Sequence, residues 1–194
     1  MKAAWLARAA YYLALVVVIA ALTHFTVLLM IPAVAERDAF ARVAALAPPF
    51  KTVALPAASP KSRDFPYADP AVAAAVCVYD LSAGPVRAHA ALGRASFASL
   101  SFHSRRGVVF YALTDRAANK GRMEALIVTP EQLRTLTARD DEDNPTDDLR
   151  IVSPTPQGFV MARVLTGSPD DEPAAAQQAS AMTCGLEPIT EAEK

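Results

Sequence analysis

The sequence predicts a mainly β protein: a single N-terminal transmembrane helix followed by an antiparallel β-sandwich-like domain with two short helices. Three observations carry that expectation. Residues 11–30, YYLALVVVIAALTHFTVLLM, contain no Asp, Glu, Lys or Arg, and about twenty such residues at roughly 1.5 Å each cross the ~30 Å apolar core of a bilayer. Beyond residue 70, short apolar or alternating runs recur between Gly- and Pro-bearing turns, which is the signature of an antiparallel sheet system. Two stretches break the strand pattern with helix-starting chemistry.

The first element is the apolar helix. Lys2, Arg8 and the amino terminus precede it, Arg37 and Arg42 follow it, and Trp5, Tyr11 and Tyr12 suit the headgroup level. Basic residues alone orient it weakly. The acid-free first flank favours a cytoplasmic amino terminus, so residues 1–35 read as cytoplasmic start and signal anchor in an inner membrane. Ala33-Val34-Ala35 before Glu36 has the small-residue form of a cleavage site. The apolar run exceeds the 7–15 residues or so of a secretory signal, which favours retention, and cleavage after Ala35 into the periplasm is the alternative. Thr23, His24 and Thr26 are the polar interruptions; a neutral imidazole near the outer end reaches the interface, and pairing with a partner helix is the other reading.

Residues 36–70 form the next unit. Residues 36–46 extend the helix, Pro48-Pro49 stop it, and prolines at 48, 49, 56, 60, 66 and 70 make an extended tether, with an edge strand over 52–55. The exported β domain then occupies 71–185, followed by a polar tail over 186–194. Its strands are expected over 76–81, 86–92, 96–103, 108–114, 123–129, 149–153 and 159–165. In Ser96-Phe97-Ala98-Ser99-Leu100-Ser101-Phe102 the alternation puts apolar groups on one face and mainly hydroxyls on the other, the latter toward solvent. Short gaps at Ala83-Gly84-Pro85, Arg105-Arg106-Gly107, Asn119-Lys120-Gly121 and Pro156-Gln157-Gly158 read as hairpin turns. Thr129-Pro130-Glu131-Gln132 opens a helix running to about Ala138 with a capping box, and the Ala- and Gln-rich 172–182 makes the second.

Composition and motifs bound the function. With 19 basic and 20 acidic residues and a net charge of −1, no nucleic-acid role is indicated. The two cysteines, Cys77 and Cys184, suit one disulfide in an exported chain, against two unrelated buried thiols. Residues 140–148, DDEDNPTDD, are the most charged segment, but Pro145 and the missing glycine break the calcium-loop template, so a solvated loop is expected. His89 and His103 are too few for a zinc site without other ligands, and no metal or cofactor is expected. A triad can be sketched from His103 with Ser99 or Ser101 and Asp80 or Asp115, although no Gly-x-Ser-x-Gly elbow is present. Arg105-Arg106 and Asp115-Arg116, at the ends of one hairpin, are candidates for binding an anionic headgroup or a partner's carboxylates. The leading expectation is therefore an anchored binding or assembly module of unknown activity, and the alternative is a small hydrolase or ligand-modifying enzyme with its site near His103, Arg105 and Asp115.

One string is distinctive: Val76-Cys77-Val78-Tyr79-Asp80-Leu81-Ser82-Ala83-Gly84-Pro85-Val86-Arg87. Gly84 can take the positive φ of a tight turn, Pro85 fixes the re-entry, and Asp80 or Ser82 can bond the turn amides. With the strand through Phe102 and then Val109-Phe110-Tyr111-Ala112-Leu113-Thr114-Asp115-Arg116, it resembles the bacterial family catalogued as domain of unknown function 1254 over about residues 67–165. The resemblance implies a β-sandwich-type fold without established activity or catalytic residues. It also implies a short, membrane-anchored form lacking the second domain, catalogued as 1214, of longer relatives, so that a separate anchored protein carrying that domain is the expected partner.

Overall fold

The computed structural model describes residues 2–34, 38–59, 65, 68–93, 97–140 and 148–187. The chain divides into two compact units, residues 1–37 and 38–194. The first is one helix, α1 (Lys2–Val34). Its stretch Ala3–Ile31 contains an 18-residue window of mean hydropathy 2.6 and is long and apolar enough to cross a membrane. Thr23 and Thr26 donate their hydroxyls to the carbonyls of Ile19 and Leu22 at 2.9 and 2.8 Å, so the helix satisfies these polar groups itself. The cleavage-like Ala35–Glu36 junction lies outside the described residues.

Among its described residues the second unit contains α2 (Ala39–Leu46), α3 (Pro130–Thr137), α4 (Glu172–Ser180) and nine strands: β1 (Thr52–Ala54), β2 (Val72–Asp80), β3 (Val86–Ala91), β4 (Ala98–Ser104), β5 (Val109–Thr114), β6 (Arg122–Val128), β7 (Arg150–Val152), β8 (Gln157–Leu165) and β9 (Thr183–Leu186). They form two sheets, β1-β2-β8-β4-β5 and β7-β6-β3-β9. The fold is thus mainly β, as the alternation and turns predict. Ala75, Cys77 and Tyr79 of β2, Leu100 and Phe102 of β4, and Val160, Ala162 and Val164 of β8 meet Val86, Ala88, Met123, Ala125 and Ile127 of the second sheet in a dry core.

Three features differ from the sequence reading. Of the expected hairpins, β4–β5 is one, but the turn after β2 carries the chain from one sheet to the other. Leu81 begins a single 3-10 turn there and is buried in the core, which pulls the chain across instead of letting it fold back. Next, β6 and β7 pair parallel, because α3 supplies the crossover that a parallel pair requires. Finally, α2 starts afresh rather than prolonging α1: Asp38 has extended backbone and accepts the Ala41 amide at 2.7 Å as an N-cap. Phe40, Val43 and Ala47 lie along one side of α2 and its end and pack with Val76, Val78 and Phe159 on the outer face of the first sheet. That face is therefore covered, and β2 is buried on both sides.

Side chains lock the connections. Thr129 and Gln132 form the full capping box of α3, and the Gln132 amide also donates to the Leu81 carbonyl at 2.8 Å, tying α3 to the sheet-crossing turn. Arg87 spends all five guanidinium N–H groups on Glu187, Glu124 and Asp148, at 2.8–3.1 Å. These bonds hold the Asp148 carboxyl below its ordinary range. Ala175 and Ala179 of α4 reach the core, where their small side chains let the helix lie close to β2 and β8. The end of α4 delivers β9, which the sequence reading did not predict as a strand, and with it Cys184.

Cys77 on β2 and Cys184 on β9 are bridged, with Cα atoms 6.4 Å apart, so the disulfide staples one sheet to the other. The bridge closes a separation of 107 residues, for which the chain-entropy account gives about 4–5 kcal/mol. Reduction should therefore lower the unfolding free energy of the domain in urea titration by that difference, with the midpoint falling by the difference divided by m, and denatured, unreduced protein should titrate no free thiol.

Candidate functional site

The side chains with the most chemistry converge near the junction of β2, β4 and β8. At the end of β2, the Asp80 carboxylate accepts the Ser82 amide at 2.9 Å, the Ser82 hydroxyl, and the Gln157 amide at 2.9 Å. The Ser82 hydroxyl first, then Gln157, hold its carboxyl below the usual range. Gly84 follows at φ 143°, a conformation that favours glycine, and Pro85 leads into β3. Opposite the turn, the Arg105 amide donates to Thr155 Oγ1 at 2.9 Å, its guanidinium meets Asp38 at 2.9 Å, and the same group lies 4.2 Å over the Phe40 ring. Asp80, Ser82, Arg105, Thr155, Pro156 and Gln157 line an open cleft of about 380 Å³, a size within the usual range of ligand pockets.

Behind the cleft lies a polar cluster. His103 stacks flat on Phe159, with ring centroids 4.4 Å apart. Its Nδ1 is 3.3 Å from the Gly107 carbonyl and its Nε2 is 3.0 Å from Ser101 Oγ. The carbonyl can only accept, so Nδ1 carries the proton and Nε2 is left to accept from Ser101, for whose one hydroxyl proton the Met161 carbonyl at 3.3 Å competes. Arg163 donates to the same Ser101 oxygen at 3.3 Å. Burial first, and then the Arg163 charge, keep the imidazole below its ordinary value of 6.5. Ser101 and His103 are only 5% and 6% exposed. This corrects the solvent-facing reading of the β4 hydroxyls: the outer sheet face is covered, and Ser101 and His103 sit within that cover.

A third group supports both. The Tyr79 hydroxyl donates to the His103 carbonyl at 3.2 Å and is 3.1 Å from Ser153 Oγ. Burial pushes the phenol up to about 12. Gly158 faces this contact, and a Cβ there would run into the His103 carbonyl and the Tyr79 hydroxyl. Close approach of two strands and a ring explains the glycine.

Not every candidate comes together. Ser101 reaches His103, but the imidazole's other nitrogen is held by Gly107 and not by Asp80 or Asp115. Asp115 and Arg116 form the turn after β5, and Arg105 and Arg106 the turn before it. Six residues of strand, roughly 20 Å, separate the two pairs, so they do not share a site. His89 is on β3, beside Thr183 of β9. Among the described residues no group of three or more His, Cys, Asp or Glu could hold a metal ion. The acidic segment 141–147 lies outside the described residues.

Residues 50–185 match the family described as a protein of unknown function, DUF1254. The chain belongs to the DUF1254 family. Solved structures that resemble it do so at low identity. The VPA0106 protein of Vibrio parahaemolyticus is 11% identical with a TM-score of 0.47, over 66% of this chain and 33% of that one. An uncharacterized protein of Burkholderia cenocepacia is 10% identical with a TM-score of 0.45, over 80% of this chain and 42% of that one. The chain thus spans less than half the length of either. No curated protein matches it.

Within this DUF1254 domain, sequence reasoning missed Arg163, Tyr79, Ser153 and Gly158. The available signal was the unbroken apolar run Ala75-Val76-Cys77-Val78-Tyr79, which marks a strand buried on both faces and hence a covered outer sheet.

Two measurements check the cluster. Gly158→Ala should destabilise the domain by about 2–4 kcal/mol in urea unfolding, because the methyl has no space to enter. An unfolded imidazole takes its proton near 6.5 and the buried one only lower, so the unfolded chain binds more protons as pH drops and stability falls below about pH 6.5. His103→Gln should flatten that slope.

Proposed function

We propose that this chain is a membrane-held binding or assembly module of the bacterial envelope, with its β domain in the periplasm. The observation that carries this reading is the division of labour around His103. The hydroxyl and imidazole that could do chemistry are more than nine-tenths covered and bonded to each other, while the open cleft is lined by groups suited to recognition. Asp80 is a carboxylate already satisfied by Ser82 and Gln157, and Arg105 is held in place by Asp38 and Phe40 while its side chain stays 44% exposed. Fixed charges at the rim of a cleft bind without ordering cost. A polar segment of another protein, presenting a carboxylate to Arg105, fits that chemistry, and the separate anchored protein expected from the family resemblance would be such a partner.

The apolar α1 and the inter-sheet disulfide support the location: the one suits a signal anchor or signal peptide, the other an oxidising compartment. A second reading rests on the Ser101–His103 pair, whose fixed tautomer is the one a hydrolase base needs. It requires Ser101 to become accessible.

A photoreactive side chain in place of Pro156, which lines the cleft and is exposed, should crosslink the full chain to a discrete partner in membranes, and Arg105→Ala should abolish the adduct. The same probe at Lys120 should give none. Labelling of Ser101 by a fluorophosphonate would instead favour the hydrolase. Intact mass of the mature chain separates an anchor beginning at Met1 from a product beginning at Glu36.

A further inference from the structure

Three arginines that the fold fixes meet carboxylates: Arg87 on Glu124, Asp148 and Glu187, Arg105 on Asp38, and Arg150 on Asp140. Arg163 of β8 differs. It is half-buried, and among the described residues its guanidinium has one partner, the Ser101 hydroxyl at 3.3 Å. Burial holds its pKa below the ordinary arginine value, and no carboxylate offsets that. A cation drawn out of water without a counter-charge is less stable than one that has found its partner. Its surroundings are donors as well. Leu100, Leu113, Ala162 and Val164 point into the core, so the alternation places Ser99, Ser101, Thr114 and Arg163 on the outer face of the first sheet. Register puts three of them in one row: Arg163 lies opposite Ser99 of β4, and Ser99 lies opposite Thr114 of β5. Ser99 and Thr114 are half-buried, and their hydroxyls bond to no described residue. The guanidinium reaches across to Ser101, two residues along β4 from Ser99. The row lies where the outer cover thins, because Ser101 is buried whereas Ala112, opposite it on β5, is exposed. A ligand arriving from the β5 side meets the remaining guanidinium N–H groups and two hydroxyls, all of them donors without an acceptor.

We propose that Arg163, Ser99 and Thr114 form a binding site for a phosphate group on the outer face of the first sheet. The guanidinium takes two oxygens in its own plane. The hydroxyl row then offers donors to a third oxygen, which a carboxylate does not have. Binding supplies the counter-charge that the chain itself withholds from Arg163. The site is separate from the cleft, whose cation Arg105 is already paired with Asp38 and stands six residues along the chain from Ser99, roughly 20 Å. It does not depend on what the cleft binds.

The test is calorimetric titration of the full chain, in uncharged detergent at neutral pH and constant ionic strength. The probes are inorganic phosphate, glycerophosphoglycerol as the soluble headgroup of an anionic lipid, and acetate. Phosphate should bind with a Kd of about 1 mM or less, and Arg163→Met should weaken it at least about tenfold. In phosphate-free buffer that variant should melt no lower than wild type, because it removes a charge that burial penalises. Ser99→Ala with Thr114→Val leaves the guanidinium in place and should also weaken phosphate by about tenfold, whereas Arg105→Ala should change nothing. Tighter binding of inorganic phosphate assigns a free phosphate or monoester, and tighter binding of the headgroup assigns a lipid; both support the site when Arg163→Met removes them. No binding at roughly 50 mM phosphate would overturn the proposal. So would binding that survives Arg163→Met or is lost with Arg105→Ala, or acetate that binds as tightly as phosphate.

Discussion

Strand β2 is buried on both faces, and most of the domain follows from that. Ala75, Cys77 and Tyr79 point into the space between the sheets, while Val76 and Val78 point away from it and need a separate cover. A sheet with one wet face would have required neither α2 nor the Phe40–Val43–Ala47 side that packs on it. The turn after β2 has to change sheets because Leu81 continues the inward set, and the disulfide leaves from the same strand. Even His103 owes part of its surroundings to β2, through the Tyr79 hydroxyl on its carbonyl, while the Phe159 ring of the neighbouring β8 lies beneath its imidazole.

The polar cluster illustrates how much burial costs when it is shared out carefully. Each buried donor in the set finds an acceptor: Tyr79 on the His103 carbonyl, His103 Nδ1 on Gly107, Ser101 on Nε2, Arg163 on Ser101. Removing one member would leave its neighbour unsatisfied in a poorly solvated place, which is dearer than never having placed it there. The cluster therefore fixes the β4–β5 turn as firmly as apolar packing would, and that turn carries Arg105 to the cleft. Fold and candidate site are one construction on this side of the molecule.

Local chemistry was legible where the residues themselves decide the outcome. Thr129-Pro130-Glu131-Gln132 can do little else than start a helix, and β4 and β8 announce themselves by alternation. Asp80, Ser82 and Arg105 were recognisable as candidates, but their meeting across the cleft depends on Thr155–Gln157, which lies far along the chain. The burial of Ser101 was hidden because a serine facing solvent and a serine buried beside His103 and Arg163 look the same in sequence. β9 was hidden for a related reason: Thr183–Leu186 is too short to show a period, and it is a strand because β3 offers it an edge.

The order of pairing gives the first sheet a particular history. β2 is made early, yet its neighbour β8 begins at Gln157, and the cysteine that locks it comes still later. A ribosome or translocon releasing this chain from its amino end would deliver β2 with α2 and β1 already made, but well before β8 and the second sheet could cover its inner face. The sandwich is thus closed from its last quarter backwards, and oxidation of the Cys77–Cys184 pair amounts to a receipt for a finished chain: a truncated product would keep Cys77 as a thiol that quality control can find.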